Sequence, residues 1–129
     1  MEKKEKFKTI LIVDDEPDIV NLTEKFLKLG NYKTITCNNG KDALRILEEK
    51  YNKISLILLD LMMPGISGTQ VLRDLKTDQR FKDIIVIVFT VKSFKEDIEK
   101  AKSLGADGYV TKPFSGKELL AYVKEILNK

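Results

Sequence analysis

Five times along the chain a short extended run gives way to a longer segment whose apolar residues recur at three- and four-residue spacing. The short runs cover Lys8–Val13, Tyr32–Cys37, Ile54–Leu59, Ile84–Phe89 and Asp107–Thr111. Four of them are rich in Ile, Val and Leu, without polar alternation through the middle. That pattern predicts strands buried on both faces, as in a parallel sheet covered by helices. The fifth is short and is assigned to a strand mainly by its position.

The intervening segments predict helices. Ile19, Leu22, Phe26 and Leu27 share one helical face, with Gly30 behind them as a stop. Ala43, Leu44 and Leu47 mark a second helix, opened by Asn38-Asn39-Gly40, and Val71, Leu72 and Leu75 mark a third. Ile98, Ala101 and Leu104 mark a fourth, stopped by Gly105, and Leu119, Leu120, Val123, Ile126 and Leu127 a fifth. The strand starts are spaced like βα units with right-handed crossovers. The predicted fold is α/β: a doubly wound, five-stranded parallel sheet with helices on both faces, flavodoxin-like. Small folds of this kind take the strand order 2-1-3-4-5. No linker or low-complexity tract divides the chain, so residues 8–129 are expected to form one domain behind a short basic tail, 1–7.

Composition removes several chemistries. With no His among 129 residues, Ser-His and Cys-His nucleophile pairs and His-ligated zinc are excluded. A single Cys, Cys37, excludes disulfides within the chain and cysteine metal clusters; it is expected to be a buried structural thiol. The formal net charge is +3, and Lys3, Lys4, Lys6 and Lys8 against Glu2 and Glu5 supply most of it. A basic tail without interleaved arginine and aromatic residues gives no reason to expect nucleic-acid binding by this chain itself. No run approaches the ~20 apolar residues of a membrane helix, so no membrane insertion and a cytoplasmic location are expected.

In open α/β sheets ligands bind beyond the carboxyl ends of the strands. Asp14-Asp15-Glu16-Pro17 follows the first predicted strand, Asp60 the third, Thr90 the fourth, and Lys112-Pro113 the fifth. Capping of a helix by Asp14-Asp15-Glu16 before Pro17 would explain that cluster alone. It does not explain why four strand ends send complementary groups to one edge. Converging carboxylates repel one another, and a hard divalent cation relieves that repulsion. Mg²⁺, with Mn²⁺ as a substitute, suits an all-oxygen set with no His or Cys nearby. A carboxylate beside such a cation can attack a phosphoryl group and become an aspartyl phosphate. Lys112 would neutralise phosphoryl charge and the Thr90 hydroxyl would donate to a phosphoryl oxygen.

With those stretches in place the sequence resembles a response-regulator receiver domain, as in the single-domain chemotaxis regulators of two-component signalling. The matching segments are Ile-Leu-Ile-Val-Asp14-Asp15-Glu16-Pro17, Leu-Leu-Asp60-Leu-Met-Met-Pro64-Gly65-Ile-Ser-Gly68, Val-Ile-Val-Phe-Thr90, and Gly-Ala-Asp-Gly-Tyr109-Val-Thr-Lys112-Pro113-Phe114. They run in order from about Lys8 to the end. The resemblance implies that Asp60 is the phosphoacceptor. It implies that Asp14 and Asp15 bind Mg²⁺, with Asp60 and the Met62 backbone carbonyl as further ligands. Thr90 and Lys112 would contact the phosphoryl group, and Tyr109 would turn inward as Thr90 moves. The donor would be a histidine kinase or histidine phosphotransfer protein, and the output a protein docking on the helix 4–strand 5–helix 5 face. Such a chain is a signalling switch, not a turnover enzyme. The Lys112–Pro113 bond resembles one that is cis in the family.

Two positions depart from the family's usual pattern: Met62, two residues after Asp60, is often polar, and Val91, after Thr90, is usually Ala or Gly. A phosphatase of the haloacid dehalogenase type would need an Asp where Met62 stands. An FMN carrier would need Ser/Thr-rich donors where Asp14-Asp15-Glu16 would repel its phosphate. The remaining alternative is a pseudo-receiver, an interaction module that is never phosphorylated.

Overall fold

The apolar runs fold as five parallel strands, β1 (Thr9–Val13), β2 (Lys33–Cys37), β3 (Ile54–Asp60), β4 (Ile85–Val91) and β5 (Gly108–Lys112). Five helices alternate with them: α1 (Pro17–Leu29), α2 (Gly40–Lys50), α3 (Gly68–Thr77), α4 (Lys95–Ser103) and α5 (Gly116–Leu127). The computed structural model describes residues 7–63, 65–91 and 95–128; the basic tail, apart from Phe7, lies outside the described residues. The strands form a single sheet in the order β2-β1-β3-β4-β5, as expected of a doubly wound chain.

Alternation along each strand sorts the side chains onto two faces. Ile10 and Ile12 of β1, Leu56 and Leu58 of β3, and Ile87 and Phe89 of β4 pack with Leu27 of α1 and with Leu119 and Val123 of α5. The odd-numbered neighbours Leu11, Val13, Ile57 and Leu59 join Val86 and Val88, and α2, α3 and α4 cover them through Ala43, Leu47, Val71, Leu72, Leu75 and Ala101. Burying each such Leu or Ile contributes about 1.5–3 kcal/mol, which is why the central strands read as continuous apolar runs. β2 differs from the expectation of full burial. β2 and β5 each have one neighbour, and their side chains are half-buried or exposed. Thr34 and Thr36 in β2 fit that edge position.

Local chemistry sets the helix starts. Asn39, Ser67 and Ser115 cap α2, α3 and α5 by accepting the amide hydrogens of Asp42, Gln70 and Glu118. At the end of α1 the predicted glycine stop is displaced. Gly30 has φ −88°, and Asn31 instead takes the left-handed position at φ 70°. Asparagine tolerates that region better than most residues. Gly105 does sit at φ +103° behind α4. Gly68 lets α3 start directly against β3, because a Cβ there would run into the Asp60 carbonyl.

Candidate functional site

Strand register brings the predicted residues together. Val13 pairs with Leu59, so Asp14, one residue on, comes level with Asp60. Asp60 pairs with Phe89, and Val91 with Lys112. Asp14, Asp60 and Lys112 each continue the alternation of the α1/α5 face, after Ile12, Leu58 and Val110. Three strands run further than the apolar pattern predicts. Asp60 and Lys112 are the last residues of β3 and β5, and Thr90 lies inside β4 instead of behind it. Asp60, Thr90 and Lys112 therefore stand on strand backbone, which holds them more rigidly than a loop would, while Asp14, Asp15 and Glu16 lie between β1 and α1.

Lys112 is the hub. Its Nζ lies 2.6 Å from Glu16 Oε1, 2.8 Å from Asp14 Oδ2 and 3.4 Å from Asp60 Oδ2. Asp60 Oδ1 accepts the Met62 N–H at 3.0 Å, and Asp14 Oδ1 accepts the Glu16 N–H at 2.9 Å. The Asp14 carboxylate is fully buried, and its Oδ2, though close to the ammonium, has no aligned hydrogen-bond donor. Glu16 makes no capping bond to α1 although it stands at the N-cap. The acidic cluster therefore serves the strand edge and not the helix start. Thr90 is buried, lines the same cavity as Asp60, and among the described residues makes only a long 3.5 Å contact from its hydroxyl to the Val91 carbonyl. That cavity, of about 300 Å³, is lined by Asp15, Glu16, Asp60, Met62, Thr90, Val91 and Lys112.

Burial pushes the Asp60 carboxyl up to about 6; the Met62 N–H opposes the rise, and the neighbouring Asp14 charge adds to it. Burial works against the Lys112 ammonium, but its close contacts with the Asp14 and Glu16 carboxylates and the charge of Asp60 outweigh that and raise its pKa. Among the described residues the edge thus holds more negative charge than Lys112 compensates. Carboxylate oxygens of Asp14, Asp15 and Asp60 all lie within 4.8 Å of one another. Three converging oxygens, one of them on a buried carboxylate short of a donor, fit a hard divalent cation.

Other predicted residues are placed as follows. Tyr109 is outward, 39 % exposed, with the Lys102 ammonium 5.3 Å from its ring centre and its own N–H donated to the Tyr122 hydroxyl. Met62 is 54 % exposed at the cavity mouth, whereas Met63 is buried in the α2–α4 core. Cys37 is half-buried, not fully buried, and burial pushes its thiol up to about 11. It lines a second groove, about 430 Å³, between α1 and α2, which reaches Asp14 and Asp15 but neither Asp60 nor Lys112. The Lys112–Pro113 bond is cis. In sequence Glu16 reads only as part of an acidic helix start; its partner is 96 positions away, and only the fold shows the pairing.

Comparison with known proteins agrees with this geometry. The model of the response regulator receiver domain family matches residues 10–124. The phosphate regulon transcriptional regulatory protein PhoB of Pseudomonas aeruginosa is 39% identical over 122 residues, 95% of this chain and 52% of that protein. The response regulator SaeR of Staphylococcus aureus is 38% identical over 120 residues, 93% of this chain and 50% of that one. The chain therefore spans about half the length of these curated relatives. Among solved structures, a putative response regulator from Chloroflexus aurantiacus superposes with a TM-score of 0.89 at 27% identity, covering 96% of this chain and all of that one. A chain whose strand edge carries this carboxylate–lysine set, and nearly all of which matches one family, belongs to the response regulator receiver domains.

Proposed function

We propose that this receiver domain accepts a phosphoryl group on Asp60 from a phosphohistidine of a histidine kinase or histidine phosphotransfer protein. The observation that carries this is Asp60 itself: 4 % exposed at the end of β3, in a cavity shared with Thr90 and Lys112. An Asp60 carboxylate oxygen attacks phosphorus, a P–O bond forms, and the P–N bond to the donor imidazole breaks. The imidazole nitrogen keeps the electron pair and picks up a proton. Lys112 faces the new phosphoryl oxygens with a permanent positive charge, and Thr90 offers a hydroxyl donor from β4. Asp14 and Asp15, with Asp60 and the Met62 carbonyl, would hold Mg²⁺ or Mn²⁺. Once bound there, the cation withdraws charge from the transferring group.

The chain then acts as a switch: its product stays covalently attached and is lost only by slow hydrolysis. Tyr109 stands outside on β5, and Thr90 and Tyr109 lie on the same face of the sheet, toward α4. A phosphoryl group that draws Thr90 toward Asp60 vacates space that Tyr109 fills, and the α4–β5–α5 face changes for its partner. The pseudo-receiver alternative is disfavoured because the acceptor, acidic, hydroxyl and lysine groups all meet at one edge.

The test is incubation with acetyl phosphate and Mg²⁺, followed by intact mass. Wild type gains one phosphoryl group; Asp60→Asn does not, and EDTA suppresses the gain. If Asp60→Asn loads as readily as wild type, or EDTA makes no difference, the reading is wrong.

A further inference from the structure

Of the three carboxylates around Lys112, Glu16 makes the shortest contact, 2.6 Å against 2.8 Å to Asp14 and 3.4 Å to Asp60. Glu16 is also the one that lies outside the acidic triad of Asp14, Asp15 and Asp60. An ammonium has three protons to share. A cation held by the triad would draw on lone pairs of Asp14 and Asp60, two of the three partners of Lys112, whereas Glu16 lies outside the triad. Glu16 lines the same cavity as Asp60 and Thr90, so a phosphoryl group arriving on Asp60 enters a space that Glu16 borders.

We propose that Glu16 is a positioning residue that holds Lys112 in the resting state, competes with the incoming phosphoryl group for its ammonium, and so slows loading. This rests on the phosphoacceptor reading and adds a residue to it. Lys112 starts with its short contacts directed to Asp14 and Glu16, the one to Glu16 a hydrogen bond, and its long contact directed to Asp60. Loading requires the reverse, and the Glu16 bond must break or lengthen for Lys112 to turn to the phosphoryl oxygens. Glu16 carries little of the fold. Its side chain is 58% exposed and makes no cap bond to α1, so substitutions there leave the domain intact.

Two substitutions separate a tether from a simple charge effect. Glu16→Gln removes the charge. Glu16→Asp keeps the charge but is one methylene shorter and falls away from Lys112. Loading by acetyl phosphate at saturating Mg²⁺ is timed for wild type and both variants. Both variants are expected to load about two- to five-fold faster, the size of effect a partly exposed ion pair allows. In parallel, the Lys112 side-chain nitrogen signal is followed by NMR without metal and with Mg²⁺ and trifluoroberyllate bound at Asp60. Glu16→Gln should shift it in the resting protein, while the wild-type and variant signals should converge in the trifluoroberyllate complex. If Glu16→Gln alone accelerates loading and Glu16→Asp behaves like wild type, Glu16 merely repels an anionic donor and the tether is wrong. Unchanged or slower loading in both variants, or a resting Lys112 signal indifferent to Glu16, also overturns it. A wild type that takes up no phosphoryl group refutes the phosphoacceptor reading itself.

Discussion

Lysine–aspartate clusters stand at both ends of the sheet, and they are built differently. At the amino edge of the strands, Lys76 Nζ reaches Asp107 Oδ2 and the Ile84 carbonyl, both at 3.1 Å, and the Lys82 carbonyl at 3.4 Å. Asp107 Oδ2 also accepts the Val86 N–H at 2.8 Å. One cation there meets one carboxylate, and backbone groups take up the remaining hydrogen-bonding capacity. The cluster ties α3 to the starts of β4 and β5 and leaves no charge uncompensated. At the carboxyl edge, among the described residues, one cation faces the carboxylates of Asp14, Glu16 and Asp60, with Asp15 alongside. The first arrangement is closed and stabilises the fold; the second is left with surplus negative charge that a cation can relieve. Similar residue types thus take a structural or a chemical role according to how completely their neighbours satisfy them.

The largest effect should come from the closed cluster. Lys76→Met removes the donor to two carbonyls and a carboxylate while its 15% exposed side-chain site stays largely shielded from water. A loss of about 2–3 kcal/mol in denaturant unfolding is expected, and added Mg²⁺ should not restore it. Recovery with Mg²⁺ would erase the distinction between the two ends.

The open cluster should respond in the opposite sense. The folded-state value of Asp60, about 6, lies above the ordinary 3.8, so its ionised form is the costly one. Its favourable contribution is complete below about pH 4 and is lost as pH rises through about 6. Without metal, Asp60→Asn should therefore be more stable than wild type at pH 7–8, by about 1–3 kcal/mol. The advantage should fade as pH falls below about 4. A destabilised Asp60→Asn at neutral pH, or a pH-independent difference, would show that the carboxyl edge is as well compensated as the amino edge.

A smaller effect concerns the apolar rim of the open cluster. Met62 and Val91 line the cavity and are 54% and 39% exposed. A thioether is a poor acceptor for orienting the water that hydrolyses an aspartyl phosphate, and a β-branched side chain narrows its approach. Self-dephosphorylation should be slow, and Met62→Asn and Val91→Ala should each speed decay by less than about tenfold, or ~1.4 kcal/mol of barrier. Timed decay of phosphorylated protein checks this; no acceleration in either variant removes crowding as the cause.

The central strands were legible because each is a run of Ile, Val and Leu that only a two-sided core accommodates, and the sheet order is the one that small doubly wound folds take. The ends were less legible. Asp60 and Lys112 look like loop residues in sequence because polarity breaks the apolar run, yet the ladder continues through them. Asp14, Asp60, Thr90 and Lys112 could be placed together from strand ends alone. Glu16 with Lys112, and Lys76 with Asp107, could not, since those pairs are 96 and 31 positions apart and depend on how side chains cross between elements. Tyr109 carries no periodic signal that separates an outward ring from an inward one. Gly30 was a reasonable helix stop, but Asn31 took the left-handed position in its place.

The contrast between the two edges is tested most directly by titrating the metal-free protein with Mg²⁺ while following backbone amide signals by NMR. Shifts should saturate at Asp14–Glu16, Asp60–Met63 and Lys112, with Lys76, Val86 and Asp107 unmoved, and Asp14→Asn should weaken the response. Silence at the carboxyl edge, or equal shifts at both ends, would contradict a cation-accepting site there.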